Sequence, residues 1–300
     1  MRIQYKGDFE MTQQEILDKL KLDIRLRGLS EGTLKAYHDA ARLFMRYYGK
    51  PADQMGEAEF RDYLRYLLDE RKITTTTINM YNSALRFLFE VTLEHNINYK
   101  RTARFKCEHI QPRILNREKI GRLFSVIKDI KHRAIFLNIY GSGLRASEIG
   151  RLRVQDVDST TMRLFIHQAK GKKDRYTLLS QFGLEALRVY WRVFRPASGQ
   201  GFLFPAKGKS GHLSVEGVEE AFRKYYALSG ITSPATVHSL RHSFATHLLE
   251  NGAEPVYIKH LLGHATFNAT NRYLHFANTD VYKTRSPLDA LAASNGSARP

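Results

Sequence analysis

Six residues spread along this chain, Arg145, Lys170, His238, Arg241, His264 and Tyr273, have the types and the order needed to cut a DNA phosphodiester with a tyrosine nucleophile. Moving a phosphodiester onto a protein hydroxyl needs a nucleophile, cations on the non-bridging oxygens and an acid for the departing 5′ oxygen. Tyr273 is the candidate nucleophile. A free tyrosine has a pKa near ~10, so its proton must pass to a neighbouring base, or yield to the field of nearby cations, as it attacks. His238 and Arg241 stand three apart at the start of a helical pattern, so both side chains leave one face. One can act as base while the other clamps phosphate, because a planar guanidinium offers paired donors that lysine lacks. Arg241 also sits inside the apolar string Leu240 to Leu249, which argues for a buried arginine whose counter-anion comes from a ligand.

Arg145 follows Gly141-Ser-Gly143, whose glycines permit a sharp entry into a helix and leave backbone N–H groups open to phosphate. Glu148, three residues on, is placed to pair with it. Lys170 heads a polar turn and is a mobile donor suited to protonating the leaving oxygen. Its neighbours Lys172, Lys173 and Arg175 are expected in plainer contact with the DNA backbone, and the choice of Lys170 among the turn's lysines stays open. His238, His242, His247, His260 and His264 raise the question of a metal, but no His-Glu-x-x-His or cysteine-containing ligand set accompanies them. No metal is expected, and His242 and His247 are expected to pack or hydrogen-bond within their helix.

The elements that must position these groups are mostly helical. Thr12-Gln-Gln-Glu15 forms a capping box ahead of Ile16, Leu20 and Ile24. Leu34, Tyr37, Ala41, Phe44 and Tyr48 give a second helix, Phe60 to Leu67 a third and Ile78 to Leu88 a fourth, which together predict a small bundle. Residues 96–113 carry no helical periodicity and read as a linker, and a capped helix begins at Asn116. Beyond it, Met162 to His167 and Tyr176 to Ser180 predict two strands joined by the turn Lys170 to Asp174. Helices are predicted at roughly 183–195, 214–229, 238–250 and 254–262, with a short one around Tyr273. The expected class is mostly α, with a small antiparallel sheet, and the tail from Ala292 reads as disordered.

At 300 residues the chain is long enough for two domains, each with its own core. Its net charge of +17 points to a polyanionic partner. The charge is uneven: residues 1–110 hold 19 Lys+Arg against 16 Asp+Glu, a difference of +3, which leaves 28 against 14, or +14, for residues 111–300. The excess thus lies with the candidate chemistry. The single cysteine, Cys107, excludes an intrachain disulfide and a cysteine zinc site, in keeping with a reducing cytoplasm. No apolar run approaches the ~20 residues of a membrane span, so neither export nor membrane insertion is expected.

The strings Gly141 to Glu148, Ala169 to Arg175, His238 to His247, Leu261-Leu-Gly-His264 and Thr270-Asn-Arg-Tyr273 together resemble the signature of the tyrosine recombinases, the phage-integrase and Xer-type family. The resemblance runs over residues 116–276, and a helical bundle in front matches that family's core-binding, SAM-like domain. It implies domains at 1–108 and 109–300, closing as a C-shaped clamp on double-stranded DNA with inverted-repeat core sites. It also implies that Arg145, Arg241 and His264 bind the scissile phosphate, His238 assists proton transfer, Lys170 is the general acid and Tyr273 forms a 3′-phosphotyrosyl link. No cofactor is implied, since the link stores the bond energy. Four protomers would exchange strands through a Holliday junction, each docking the helix expected over Asp280 to Leu291 into a neighbour. Only about eleven residues precede the first helix, which points to the simple, Xer-like type without an arm-binding domain. Where the family often has paired threonines this chain has Ala269-Thr270, so one hydroxyl near the phosphate is missing. A catalytically silent DNA-binding accessory protein and a type IB topoisomerase stay open as alternatives. Chromosome or plasmid resolution, transposon or phage integration and cassette exchange are all compatible with these strings.

Overall fold

A computed structural model of the chain describes residues 11–98, 104–106, 111–169, 173–196, 201–206, 211–264, 266, 270 and 273. The chain divides into two compact units, Met1–Ile110 and Gln111–Pro300. Among the described residues, no helix is long and apolar enough to cross a membrane.

The first unit is a helical bundle of α1 (Gln13–Leu26), α2 (Glu31–Tyr48), α3 (Glu57–Asp69) and α4 (Thr75–Phe87). The Thr12 capping box forms as the sequence predicts: the Thr12 hydroxyl accepts from the Glu15 N–H, and Glu15 accepts in return from the Thr12 N–H at 2.7 Å. Apolar positions spaced by three or four then face inward, so that Ile16, Leu20, Phe44, Phe60, Ile78 and Leu85 share one core. Truncating one of its fully buried phenylalanines would cost about 3–5 kcal/mol. The periodicity does not foresee the π-helical turn Leu88–Thr92 that follows α4, where the Leu93 N–H reaches back to the Leu88 carbonyl at 2.9 Å. The wider turn buries the adjacent residues Leu88 and Phe89 together. Part of the predicted linker is tied to this unit, because the Asn79 amide brackets the Phe105 backbone through bonds of 2.8 and 2.9 Å.

The second unit begins with α5 (Arg117–Val126), capped by Asn116, followed by α6 (Ile130–Ser142) and the short α7 (Ala146–Arg151). A three-stranded antiparallel sheet comes next, β1 (Val157–Asp158), β2 (Arg163–Ala169) and β3 (Lys173–Leu178), in spatial order β1-β2-β3. The strand β1 adds to the predicted hairpin, since two residues are too few to show alternation. Helices α8 (Gln181–Phe194), α9 (Val215–Leu228), α10 (Val237–Glu250) and α11 (Pro255–Leu262) complete the unit.

Two features of this unit aim the chemistry. Period-two alternation along β3 turns Arg175 and Thr177 inward and leaves Tyr176 and Leu178 at the surface; the Thr177 hydroxyl ties the strand to the Ser142 carbonyl at 2.7 Å. Helix α10 is enclosed on most of its circumference, with Ser239, Leu240, Arg241 and Ser243 to His247 all buried. Its far half packs with Ile258, Leu262 and Tyr273 as a separate apolar cluster.

Candidate active site

Glu148 is the anchor. It lies in the first turn of α7, whose N-cap is Arg145, and its carboxylate accepts from the Arg145 backbone N–H at 2.8 Å and from the Arg145 guanidinium at 2.6 Å. Arg175, arriving from β3, donates to both carboxylate oxygens at 2.8 Å each, the paired geometry that guanidinium favours. Arg241 comes within 3.5 Å of the same carboxylate. Burial alone would push the Glu148 carboxyl up, but the hydrogen bonds and charge of Arg175, with the charges of Arg241 and Arg145, outweigh it and hold the group at about 2.

Arg241 is the most enclosed of the three guanidiniums, its side chain 1% exposed. Burial, followed by the neighbouring charge of Arg145, draws it down to about 9, still cationic at neutral pH. Its two terminal nitrogens donate to the Gly143 carbonyl at 2.7 Å and the Leu262 carbonyl at 2.5 Å, bonds that use two of the five guanidinium donors. Both acceptors precede left-handed or loop backbone at helix C-termini, where carbonyls lack partners within the helix. Gly143 (φ 63°) closes α6 and Gly263 (φ 63°) closes α11. At Gly143 a Cβ would meet the Phe244 ring at 2.4 Å, so glycine is required here by contact as well as by conformation.

Tyr273 is buried, 2% exposed, against the face of α10 that follows Arg241. Its hydroxyl is 2.9 Å from Nδ1 of His242. The His264 ring lies nearly parallel to the Tyr273 ring at 6.1 Å, and the Thr270 hydroxyl meets His264 Nδ1 at 2.8 Å. On the other side the His238 ring stands across His242 at 4.7 Å. His238 is exposed, His242 half-buried and Tyr273 buried, so the three rings descend from solvent to the phenol.

Five of the six residues singled out from the sequence therefore fall on two adjoining constellations, Arg145 and Arg241 around Glu148, and His238, His264 and Tyr273 around His242. Lys170 and Lys172 lie outside the described residues, as does the side chain of Lys173. Three expectations need correction. Arg175 is not an exposed contact for the DNA backbone: its side chain is 7% exposed, and its donors are taken by Glu148 and, at 2.8 Å, by the Leu261 carbonyl. Arg241 does have a carboxylate nearby, because α7 delivers Glu148 from almost a hundred positions earlier. His242 and His247 bond outside their helix, His242 to Tyr273 and His247 to the Tyr140 hydroxyl at 2.9 Å. The hub role of Glu148 and the place of His242 were missed. No local pattern in the sequence marks either.

Comparison with known proteins identifies the family. Residues 113–279 match the phage integrase family, and residues 16–99 match the phage integrase N-terminal SAM-like domain. The chain belongs to the phage integrase family and is a tyrosine recombinase of the simple, Xer-like type, a DNA-binding enzyme of site-specific recombination that cleaves and rejoins strands. It is 31% identical over 263 residues to the tyrosine recombinase XerA of Thermococcus onnurineus, covering 86% of this chain and 90% of that one. It is 29% identical over 318 residues to an integrase/recombinase of Escherichia coli, covering 92% and 94% respectively. In fold it resembles the XerH recombinase bound to its difH substrate before cleavage, with a TM-score of 0.69 at 18% identity, covering 96% of this chain and 85% of that one. It also resembles a lambda integrase tetramer bound to a Holliday junction, with a TM-score of 0.68 at 19% identity over 89% and 78% of the two chains.

Proposed function

We propose that Tyr273 is the nucleophile of this recombinase and forms a 3′-phosphotyrosyl bond to one strand of double-stranded DNA. The observation that carries the reading is the placement of its hydroxyl at 2.9 Å from the His242 imidazole on α10, the helix that also carries the buried Arg241. In this reading Arg145 and Arg241 hold the non-bridging oxygens of the scissile phosphate, with His264 as a third donor. Glu148 fixes where the guanidiniums point before DNA arrives, which is the preorganisation such catalysis needs. His238 assists proton transfer, and Lys170 protonates the departing 5′ oxygen.

The rest of the reading concerns assembly. The chain works in the cytoplasm on sites with inverted-repeat core sequences, where four protomers form a tetrameric synapse and strands exchange through a Holliday junction. The segment Asp280 to Leu291, which lies outside the described residues, is proposed to dock into a neighbouring protomer. The likeness in fold to a lambda integrase tetramer bound to a Holliday junction supports this assembly, and the charge of +14 on residues 111–300, from 28 Lys+Arg against 14 Asp+Glu, supports a long phosphate footprint for this unit. The test is a nicked suicide substrate on which cleavage traps the covalent adduct. Tyr273→Phe is expected to keep DNA binding and to form no adduct; adducts that persist in that variant remove Tyr273 from the role.

A further inference from the structure

The structure assigns a catalytic role to a residue outside the six: we infer that His242 is the group that takes the proton from the Tyr273 hydroxyl during strand cleavage. The inference rests on the reading of Tyr273 as nucleophile. It comes from the placement of Nδ1, 2.9 Å from the phenol oxygen and within range for proton transfer. A neutral imidazole protonated on Nε2 presents an Nδ1 lone pair there, and the phenol donates to it.

The surroundings suit transfer in that direction. His242 follows Arg241 in the chain, so the helix that holds one of the phosphate-clamping guanidiniums also sets the distance to the phenol. Tyr273 faces His242, with His264 beyond it, and His238 stands one helical turn back, its ring across that of His242 at an interplanar angle of 87°. His242 is half-buried and the His238 ring beside it is exposed, so His242 lies between the phenol and solvent. The Tyr273 side chain is buried, and its hydroxyl meets the His242 imidazole.

The step balances without a further reactant. As the Tyr273 oxygen attacks phosphorus, its proton moves to His242 Nδ1 and the new O–P bond forms. The bond from phosphorus to the 5′ oxygen breaks, its electron pair stays on that oxygen, and the general acid protonates it. In the reverse reaction His242 returns the proton to the phenol.

The experiment measures single-turnover cleavage of suicide substrates carrying either the natural 5′ oxygen or a bridging 5′ sulfur, which leaves without protonation. His242→Asn keeps an amide near the position of Nδ1 but cannot carry a proton. It is expected to bind DNA as the wild type does and to cleave both substrates roughly 10²–10⁴-fold more slowly, the usual contribution of a general base. Added imidazole is expected to accelerate His242→Ala in proportion to the fraction of imidazole that is unprotonated. Cleavage by His242→Asn within about threefold of wild type would overturn the assignment, and so would full recovery on the sulfur substrate, which would make His242 an acid. Tyr273→Phe, run alongside, separates the two readings. Adducts in Tyr273→Phe sink the nucleophile itself, whereas a clean Tyr273→Phe with an active His242→Asn sinks only the base.

Discussion

Replacing Glu148 with glutamine removes one charge and almost no volume from the point where three guanidiniums converge, and its consequence can be worked through. The carboxyl is held at about 2 in the folded chain against an ordinary 4.5. At about 1.36 kcal/mol per pH unit, that gap corresponds to roughly 3 kcal/mol of stability. Since the folded value is the lower one, the contribution is complete above the unfolded value and drains away as pH falls through the interval from 4.5 towards 2. Glu148→Gln is therefore expected to lower the unfolding free energy of the second unit by roughly 3 kcal/mol at neutral pH and by only roughly 2 kcal/mol near pH 3.5. The only tryptophan, Trp191, lies on α8 in this unit, so urea titration followed by its fluorescence reports on the right transition. Equal stabilities at neutral pH, or a deficit that does not shrink on acidification, would refute the picture of a buried carboxylate held ionised by its arginines.

Two further substitutions probe the supports of the same cluster. Gly143→Ala puts a Cβ 2.4 Å from the Phe244 ring and 2.9 Å from Leu262, at a φ of +63°, and is expected to cost upwards of roughly 2 kcal/mol in the same titration; a loss under about 0.5 kcal/mol would show that α6 and α10 adapt freely. Arg175→Lys keeps the charge but cannot span both oxygens of Glu148 and the Leu261 carbonyl together, so stability is expected to fall by about 1–3 kcal/mol, with strand cleavage slowed and adduct chemistry otherwise intact. Unchanged cleavage in that variant would show that Arg145 and Arg241 keep their aim without it.

How far the site was legible follows from what each residue's neighbours encode. Arg241 declared its burial because it sits among Leu240, Phe244, Ala245, Leu248 and Leu249, a run with too little charge to be an exposed helix face. The helices of the first unit declared themselves through the spacing of their apolar residues and, for α1, through the capping box. Local patterns say nothing, by contrast, about which distant group meets a buried charge. Arg175 looked like one more cation in a basic turn, and only the register of β3, with Arg175 opposite Ile166, turns it towards Glu148. His242 was equally silent, since its partner lies more than thirty positions away and the bond depends on how Tyr273 packs against α10. The π turn after α4 escaped for a different reason: one widened turn does not disturb the 3.6-residue rhythm enough to be read.

The cluster also carries a charge balance that bears on catalysis. Arg145, Arg175 and Arg241 bring three positive charges against the single negative charge of Glu148, which leaves a surplus of two. A phosphodiester in the ground state offers one negative charge, and the five-coordinate arrangement reached during attack gathers close to two. Within the proposed function the site is thus matched to the reacting phosphate more closely than to resting DNA, the condition under which binding energy speeds chemistry rather than merely holding substrate. Glu148 sets this match by cancelling one cation. Glu148→Gln raises the surplus to three, so it is expected to hold uncleaved DNA at least as tightly as the wild type while cleaving it more slowly. A variant that lost affinity and kept its cleavage rate would place the role of Glu148 in binding rather than in aiming the arginines.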